Sequence, residues 1–209
     1  DYRSTPQIVN YANRVLKASP QRDDYLVLQS GREQGPRITQ TVYASDTEEA
    51  QGVAMRIAKL ASQGVSPSDC AILTRINAQQ QILCKALQEQ HLRYRMRRDS
   101  GWRNSALADD AQTRLAMLES LGVGSDMNGV TISTIHASKG LEFKHVFLIG
   151  CSEGLLPYGS PQDGDQLEEE RRLLYVGVTR AEDTLHLSYA RSKDGLNDGR
   201  GRRVSRFLS

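Results

Sequence analysis

Short β-branched or apolar runs alternate with amphipathic segments along most of this chain of 209 residues. Runs typical of strands lie at 37–43, 70–74, 91–96, 130–135, 145–149 and 184–189. Segments with helical apolar spacing lie at 6–17, 46–63, 78–90, 107–121 and 165–180. Strands that alternate with helices usually pair in parallel, because each helix carries the chain back to the edge where the next strand starts. The sequence therefore predicts an α/β fold with a mostly parallel sheet flanked by helices.

Composition limits the classes of protein to which the chain can belong. Hydrophobic residues make up 38% and charged residues 25%, which is typical of a folded globular protein, and the length suits one domain with at most a small insert. The net charge of +2 is too small to indicate nucleic-acid binding, so such a function must depend on local residues. No apolar run reaches the length of a membrane span. We expect a cytoplasmic protein without a membrane partner.

The cysteines and histidines do not form a metal-binding pattern. Cys70, Cys84 and Cys151 are widely spaced in apolar surroundings, and no Cys or His pair has the spacing of a zinc site. We expect three reduced, buried thiols and no metal ligands.

The densest polar segment follows the β-branched run at 130–135 and reads His136-Ala-Ser-Lys-Gly140-Leu-Glu142. Ligands collect beyond the carboxyl ends of parallel strands, where we expect His136 to Gly140 to lie. Gly140 would let the backbone approach a phosphate, and Glu142 can accept hydrogen bonds from a ribose. His136 can stack on or hydrogen-bond to an unstacked base. The alternative is a plain turn between two strands, in which Lys139 and Glu142 are merely solvated.

A second polar segment, Glu168-Glu-Glu-Arg-Arg-Leu-Leu-Tyr-Val-Gly-Val-Thr-Arg-Ala181, belongs to the last predicted helix. Leu174, Val178 and Ala181 share one face, so we expect this helix to pack on the sheet. Arg180 lies off that face, and its guanidinium can form a fork of hydrogen bonds to a phosphate. Such an arginine finger raises turnover by roughly 10³–10⁵. The alternative is that Arg180 only favours the negative end of the helix dipole.

These two segments resemble motifs V and VI of the UvrD/Rep/PcrA class of superfamily 1 DNA helicases. Other strings also resemble this family, in the expected order along residues 1 to 208: Asp1-Tyr-Arg-Ser-Thr5 (motif IV), Ala71–Gln79 (motif IVa), Glu153-Gly-Leu-Leu-Pro-Tyr158 and Ser205-Arg-Phe-Leu208. Asp1 stands where the family has Asn. The resemblance implies a RecA-like fold and ATP-driven work on single-stranded DNA.

The resemblance also implies a nucleotide-binding group. In the family, the tyrosine at the position of Tyr2 stacks on adenine and the arginine at the position of Arg3 reaches the γ-phosphate. Gly140 and Glu142 would complete the binding of ATP, and Arg180 would act with Arg3 as a catalytic arginine.

A DNA-binding group is implied as well: Arg75, Asn77, His136 and Tyr158. Arg75 would meet a phosphate and Asn77 a base or sugar. Tyr158 stands where the family has His, and it retains a ring that can stack on a base. The alternative for Asn77 is the N-cap of the helix at 78–90.

The sequence has neither a G-x-x-x-x-G-K-[ST] string nor an acidic Walker B strand. In the family both lie on the first motor domain, upstream of motif IV. We therefore expect residues 1–209 to be the second motor domain, called 2A, cut from a longer protein. Its partner would be the N-terminal motor domain of the same chain, which would hold the Mg²⁺ that accompanies ATP. We expect the isolated chain to be inactive.

The family inserts a large 2B domain between motifs IVa and V, where this chain has only residues 97–129. A motor that works on proteins such as RNA polymerase therefore stays open. A further alternative is a non-enzymatic module with a RecA-like fold that binds nucleic acid or protein. The presence of Arg180 favours a motor, because a degenerate motor has no use for this residue.

Overall fold

The computed structural model describes residues 3–20, 27–99, 129–159, 161–192 and 201–208. Its strands are β1 Thr39–Ser45, β2 Cys70–Thr74, β3 Tyr94–Arg97, β4 Val130–Thr134, β5 Phe143–Leu148 and β6 Ala181–Ser192. Its α-helices are α1 Pro6–Lys17, α2 Asp46–Ser62, α3 Gln80–Glu89 and α4 Gly164–Val178. Short 3₁₀ turns occupy Pro67–Asp69, Asn77–Gln79 and His136–Ser138.

The six strands form one sheet in the order β1-β6-β5-β2-β4-β3, and every neighbouring pair is parallel. All six strands therefore end at one edge, the carboxyl edge, and start at the opposite one, the amino edge. The prediction of an α/β fold with a parallel sheet flanked by helices is confirmed.

Successive residues of the central strands face two separate cores. Ala71 and Leu73 of β2 pack in the cluster that contains α1 and α4, whereas Cys70 and Ile72 pack in the cluster that contains α2 and α3. Burial on both faces explains why β2 lacks alternation of apolar and polar residues. The domain thus has three layers, with a helix pair on each face of the sheet.

The predicted start of the last strand differs from the structure, because pairing with two neighbouring strands sets the ends of that strand. β6 begins at Ala181 and is 12 residues long, because it pairs with both β1 and β5. Ala181 is therefore the first residue of a strand rather than part of a helix face, although Leu174 and Val178 are buried as expected. The predicted helix at 107–121 and most of 97–129 lie outside the described residues.

The prediction that the three cysteines are buried is confirmed for Cys70, Cys84 and Cys151, which are also free. Burial raises the pKa of the Cys70 thiol to about 12 and also raises those of Cys84 and Cys151. These thiols are packing groups rather than nucleophiles.

Two candidate sites on opposite edges of the sheet

The predicted site residues separate onto the two edges. β4 ends at Thr134 and places His136 at the carboxyl edge, whereas Glu142 immediately precedes β5 and so lies at the amino edge. The segment between them crosses the sheet without an α-helix. Only the first part of this segment therefore follows the carboxyl end of β4, since a parallel β5 must start at the opposite edge.

Arg180 lies beside Glu142 at the amino edge. It immediately precedes β6, and its carbonyl oxygen accepts a hydrogen bond from the Phe143 N–H at 2.9 Å. Its guanidinium donates to the Val176 carbonyl and the Leu141 carbonyl, each at 3.1 Å. A third bond, 3.3 Å long, reaches the Thr179 hydroxyl. Arg180 is thus held by the end of α4 and by the crossing segment, and two of its five N–H groups lie outside these bonds.

Arg3 is held much more loosely. Its Nη1 lies 3.7 Å from Glu142 Oε2, and the two side chains are 80% and 35% exposed. A surface ion pair of this kind contributes little to stability, so Arg3 can leave Glu142 for a stronger anion. Tyr2 lies outside the described residues.

Gly140 occupies a left-handed backbone conformation with φ of 82°. A Cβ atom added there would meet no heavy atom within 4 Å. The backbone conformation therefore favours glycine, while the space beside it is open to a ligand. We call Arg3, Gly140, Glu142 and Arg180 the amino-edge cluster.

Arg75 is the first residue after β2 and lies at the carboxyl edge. Its Nε donates to both carboxylate oxygens of Glu170, at 2.9 and 3.1 Å, and its Nη2 donates to Oε1 at 2.6 Å. The guanidinium carbon also lies 5.2 Å from the centre of the Tyr158 ring. The hydrogen bonds from Glu170 raise the pKa of Arg75 although burial opposes this. The hydrogen bonds to Glu170 and the contact with the Tyr158 ring hold the Arg75 guanidinium in one orientation.

Sequence reasoning missed Glu170, because it belongs to a run of three glutamates that is typical of a solvated helix face. Its side chain is only 6% exposed. Only the packing of α4 against the end of β2 reveals its partner.

Asn77 does not cap the helix that follows it. The turn Asn77–Gln79 begins with this residue, and the Gln79 side chain accepts from the backbone N–H groups of Arg75 and Ile76, each at 2.9 Å. The Asn77 side-chain oxygen instead accepts from the Asp99 N–H at 3.2 Å. The N-cap alternative is therefore wrong, and Asn77 ties the end of β2 to the segment after β3.

His136 is exposed at the first position of its 3₁₀ turn. It lies between two open cavities. One, of about 560 Å³, is lined by Arg97, Arg98, Asp99, His136 and Ala137. The other, of about 340 Å³, is lined by Arg75, His136, Lys139, Glu169, Glu170, Arg172, Leu173 and Val176. The carboxyl edge thus combines cations with exposed rings, since Tyr158 is 44% exposed.

The two edges suit different ligands. Fixed cations beside exposed rings suit a single-stranded nucleic acid, whose bases stack and whose phosphates are anionic. Two arginines beside an open glycine suit the phosphates of a nucleotide. Among the described residues, no group of His, Cys, Asp and Glu side chains could hold a metal ion. Nor does any described helix combine the length and apolarity that a membrane crossing needs.

The fold recurs in a solved structure. That structure is the C-terminal domain of a possible DNA helicase from Lactobacillus plantarum WCFS1, with a TM-score of 0.60 and 22% identity over 100% of this chain and 92% of the other. The architecture is that of a RecA-like α/β domain. Residues 1–101 and 110–192 match the model of the UvrD-like helicase C-terminal domain, and the chain belongs to this family.

Curated relatives extend well beyond this domain. The ATP-dependent DNA helicase UvrD2 of Mycobacterium tuberculosis (strain ATCC 25618 / H37Rv) is 31% identical over 283 residues, which cover 100% of this chain and 40% of the relative. The ATP-dependent DNA helicase Rep of Escherichia coli (strain K12) is 42% identical over 83 residues, or 40% of this chain and 12% of Rep. The match to UvrD2 is longer than the 209 residues of this chain, so UvrD2 carries additional residues within the matched span.

Proposed function

We propose that this chain is the second motor domain of an ATP-dependent DNA helicase or translocase that acts on single-stranded DNA. Membership of the UvrD-like family supports a helicase motor domain. The observation that carries the proposal is the separation of the motif residues into two groups on opposite edges of one sheet. A motor domain needs one surface for the nucleotide and another for the DNA strand, and it needs a rigid connection between the two surfaces.

The amino-edge cluster would face ATP bound by the N-terminal motor domain of the same full-length chain. ATP supplies the phosphate bond whose hydrolysis drives the motor. Arg180, already oriented by three hydrogen bonds, would place its remaining N–H groups on the γ-phosphate. Arg3 would leave Glu142 for the same phosphate and so free Glu142 for the ribose. Tyr2 would stack on the adenine, and Gly140 would leave room for the nucleotide.

The Mg²⁺ that accompanies ATP would be held by the N-terminal motor domain, because no metal-binding group occurs among the residues described here. For the same reason, and because the sequence has no phosphate-binding Gly-Lys pair, we expect the isolated chain not to hydrolyse ATP. Residues 97–129 would be a short segment in the place of a 2B domain, in accord with the longer matched span of UvrD2.

The carboxyl edge would hold the DNA. Arg75 is fixed by Glu170 and Tyr158 before any ligand arrives, so little entropy is lost when it binds a phosphate. Tyr158 and His136 would stack on bases, and Asn77 would contact a base or sugar.

One segment joins the two groups. His136 at the carboxyl edge and Glu142 at the amino edge are six residues apart on the crossing segment between β4 and β5. The Arg180 guanidinium is bonded to the carbonyl of Leu141 on that segment. A short, packed connection would therefore link the nucleotide to His136.

The test is ATP turnover by the full-length parent, with and without single-stranded DNA, for wild type and Arg180→Ala. We expect DNA-stimulated turnover that falls by roughly 10³–10⁵ in the variant. Arg14→Ala, on the exposed face of α1, is the matched control and should be unchanged. Thermal unfolding and DNA affinity of Arg180→Ala show whether the domain keeps its fold. Normal turnover in this variant would remove Arg180 from the site.

A second candidate is a non-enzymatic binding module. The three intramolecular hydrogen bonds of Arg180 favour it, since they account for this residue without any nucleotide. The parent would then bind single-stranded DNA without DNA-stimulated ATP turnover.

A further inference from the structure

The two cavities beside His136 adjoin at this residue on the carboxyl edge, and we call them together the carboxyl-edge groove. His136 lines both cavities, with Arg97 and Arg98 on one side and Arg75 and Lys139 on the other. The motif residues account for only part of this surface. Arg97 and Arg98 belong to no string with a family role in the sequence, yet they supply the cationic wall of the larger cavity.

Strand order places these residues in a row. β2, β4 and β3 are consecutive in the sheet, and Arg75, His136 and Arg97 lie at or just beyond their carboxyl ends. Neighbouring strands are about 4.8 Å apart, so the ends of β2 and β3 are separated by about 10 Å. The row therefore continues past the motif residues to the edge of the sheet.

The groove carries an excess of positive charge. Among the residues that the structure describes, its lining includes five cationic side chains, Arg75, Arg97, Arg98, Lys139 and Arg172, against three carboxylates, Asp99, Glu169 and Glu170. The formal net charge of the whole chain is only +2. A nearly neutral protein thus has a local surface that attracts polyanions.

Arg97 is positioned to take part in such binding. Its side chain is exposed, and its Nε donates to the Ala137 carbonyl at 3.2 Å. Ala137 follows His136 in the same 3₁₀ turn, so this bond directs the guanidinium along the turn that carries His136. The two terminal nitrogens of Arg97 lie outside that bond and can fork onto a phosphate.

Arg98 and Asp99 complete the wall. Arg98 is half-buried, and burial lowers its pKa; a partly dehydrated cation interacts strongly with an anion. The Asp99 carboxylate, which would repel a phosphate, accepts a hydrogen bond from the Thr134 hydroxyl at 2.6 Å. That bond ties one Asp99 oxygen to the end of β4.

We propose that Arg97 and Arg98 bind backbone phosphates of the same single-stranded nucleic acid that contacts Arg75 and His136, and so extend its path to the edge strand β3. The inference rests on the proposed function and adds residues to that same surface. Because guanidinium–phosphate contacts carry no sequence information, these residues contribute affinity and direction but no base preference.

Salt-dependent binding of a fluorescein-labelled dT oligonucleotide to the 209-residue chain, followed by anisotropy, tests the proposal. For single strands, the logarithm of affinity falls with the logarithm of salt concentration by about 0.7 for each neutralised phosphate. We expect R97Q/R98Q to make the slope shallower by about 1.4, which is the loss of two contacts. R97K/R98K keeps both charges and should keep most of the slope.

The matched control is R14Q/R37Q, which removes two exposed arginines that do not line the groove. It should leave the slope unchanged. A wild-type slope in R97Q/R98Q, with unfolding at the wild-type temperature, would overturn the proposal. So would an equal change of slope in the control, because the effect would then belong to net charge alone.

Arg75→Ala separates this proposal from the proposed function. If Arg75→Ala weakens binding while R97Q/R98Q does not, the path ends at His136 and the DNA-binding function stands. If the wild-type chain fails to bind the oligonucleotide at low salt, both proposals fail.

Discussion

Arg75 at the carboxyl edge and Arg3 at the amino edge are held in opposite ways. At the carboxyl edge, Arg75 and Glu170 are only 15% and 6% exposed and are joined by three short hydrogen bonds. At the amino edge, Arg3 is 80% exposed and makes one long contact with Glu142. Arg75 is thus fixed within the domain, whereas Arg3 presents a loosely paired cation toward solvent. This difference suits a domain that binds one ligand on its own surface and shares the other with a second domain.

The largest expected effects test whether the amino edge acts on ATP turnover and the carboxyl edge on DNA affinity. In the full-length parent, we expect Arg3→Ala to lower DNA-stimulated ATP turnover by roughly 10²–10³, as for other lost transition-state donors, without change in DNA affinity. Arg75→Ala should weaken DNA binding and shift the DNA concentration needed for stimulation. Turnover and anisotropy titrations check both. A loss of DNA affinity in Arg3→Ala would show that the edges do not act separately.

Removal of the carboxylate that pairs with each arginine should lower the free energy of unfolding by different amounts at the two edges. Glu170→Ala leaves the Arg75 cation enclosed without a partner, which we expect to lower the free energy of unfolding by roughly 3 kcal/mol. Glu142→Ala removes only a surface contact and should cost less than about 1 kcal/mol. Denaturant unfolding of the two variants provides the comparison. Equal losses in the free energy of unfolding would mean that the Arg75–Glu170 pair contributes no more to stability than the Arg3–Glu142 pair.

We expect a histidine within the sheet, between the two edges, to make the free energy of unfolding depend on pH. Burial lowers the pKa of His186 to about 4, assisted by the charges of Arg56 and His145, and its ring stacks on Phe147 at 4.5 Å. The unfolded chain binds a proton near pH 6.5 and the folded chain only near pH 4. Stability is therefore fully present above about pH 6.5 and falls by roughly 3 kcal/mol as the pH drops to about 4.

His186→Gln should remove much of this dependence, because Gln does not titrate and can still bond to Thr39, which lies 2.7 Å from the His186 ring. His145 on the neighbouring strand, with a pKa also lowered by burial, should retain a smaller part. The matched control is exposed His136→Gln, which should leave the profile unchanged. An unaltered profile in His186→Gln would assign the dependence to other groups.

The smallest expected effect concerns Gly140. Gly140→Ala forces a side chain into a left-handed conformation at a cost of about 1 kcal/mol, with no steric clash. Thermal unfolding measures that cost. If a nucleotide approaches this backbone, ATP turnover of the parent should fall by more than the stability loss explains. A proportional fall would mean that Gly140 serves only the turn.

Helices and strands with strong hydrophobic periodicity could be predicted, because that periodicity depends only on residues close together in the sequence. The β-branched runs of β2 and β4 and the apolar face of α1 lie almost where the sequence predicted them. Errors occurred at ends fixed by distant partners: β6 starts three residues early because it pairs on both sides, and Asn77 bonds to Asp99 instead of capping a helix.

The site residues show the same division. Motif strings in the sequence indicate which residue types belong to the chemistry, and the family to which the chain belongs agrees with those strings. Their sorting onto two edges depends on the crossing between β4 and β5, which no local pattern in 136–142 reveals. Glu170 and the row of arginines that includes Arg97 and Arg98 are equally invisible in sequence, because their neighbours come from other strands.

The sequence by itself thus determined the α/β class, the parallel sheet and the family, since hydrophobic periodicity and short motif strings are local properties. Only the tertiary structure decided which charges are paired, which are exposed and which edge each residue occupies. Those features depend on contacts between residues far apart in the chain, such as Arg75 with Glu170 and Leu141 with Arg180. Burial and partner geometry, rather than residue type, set the strength of each interaction.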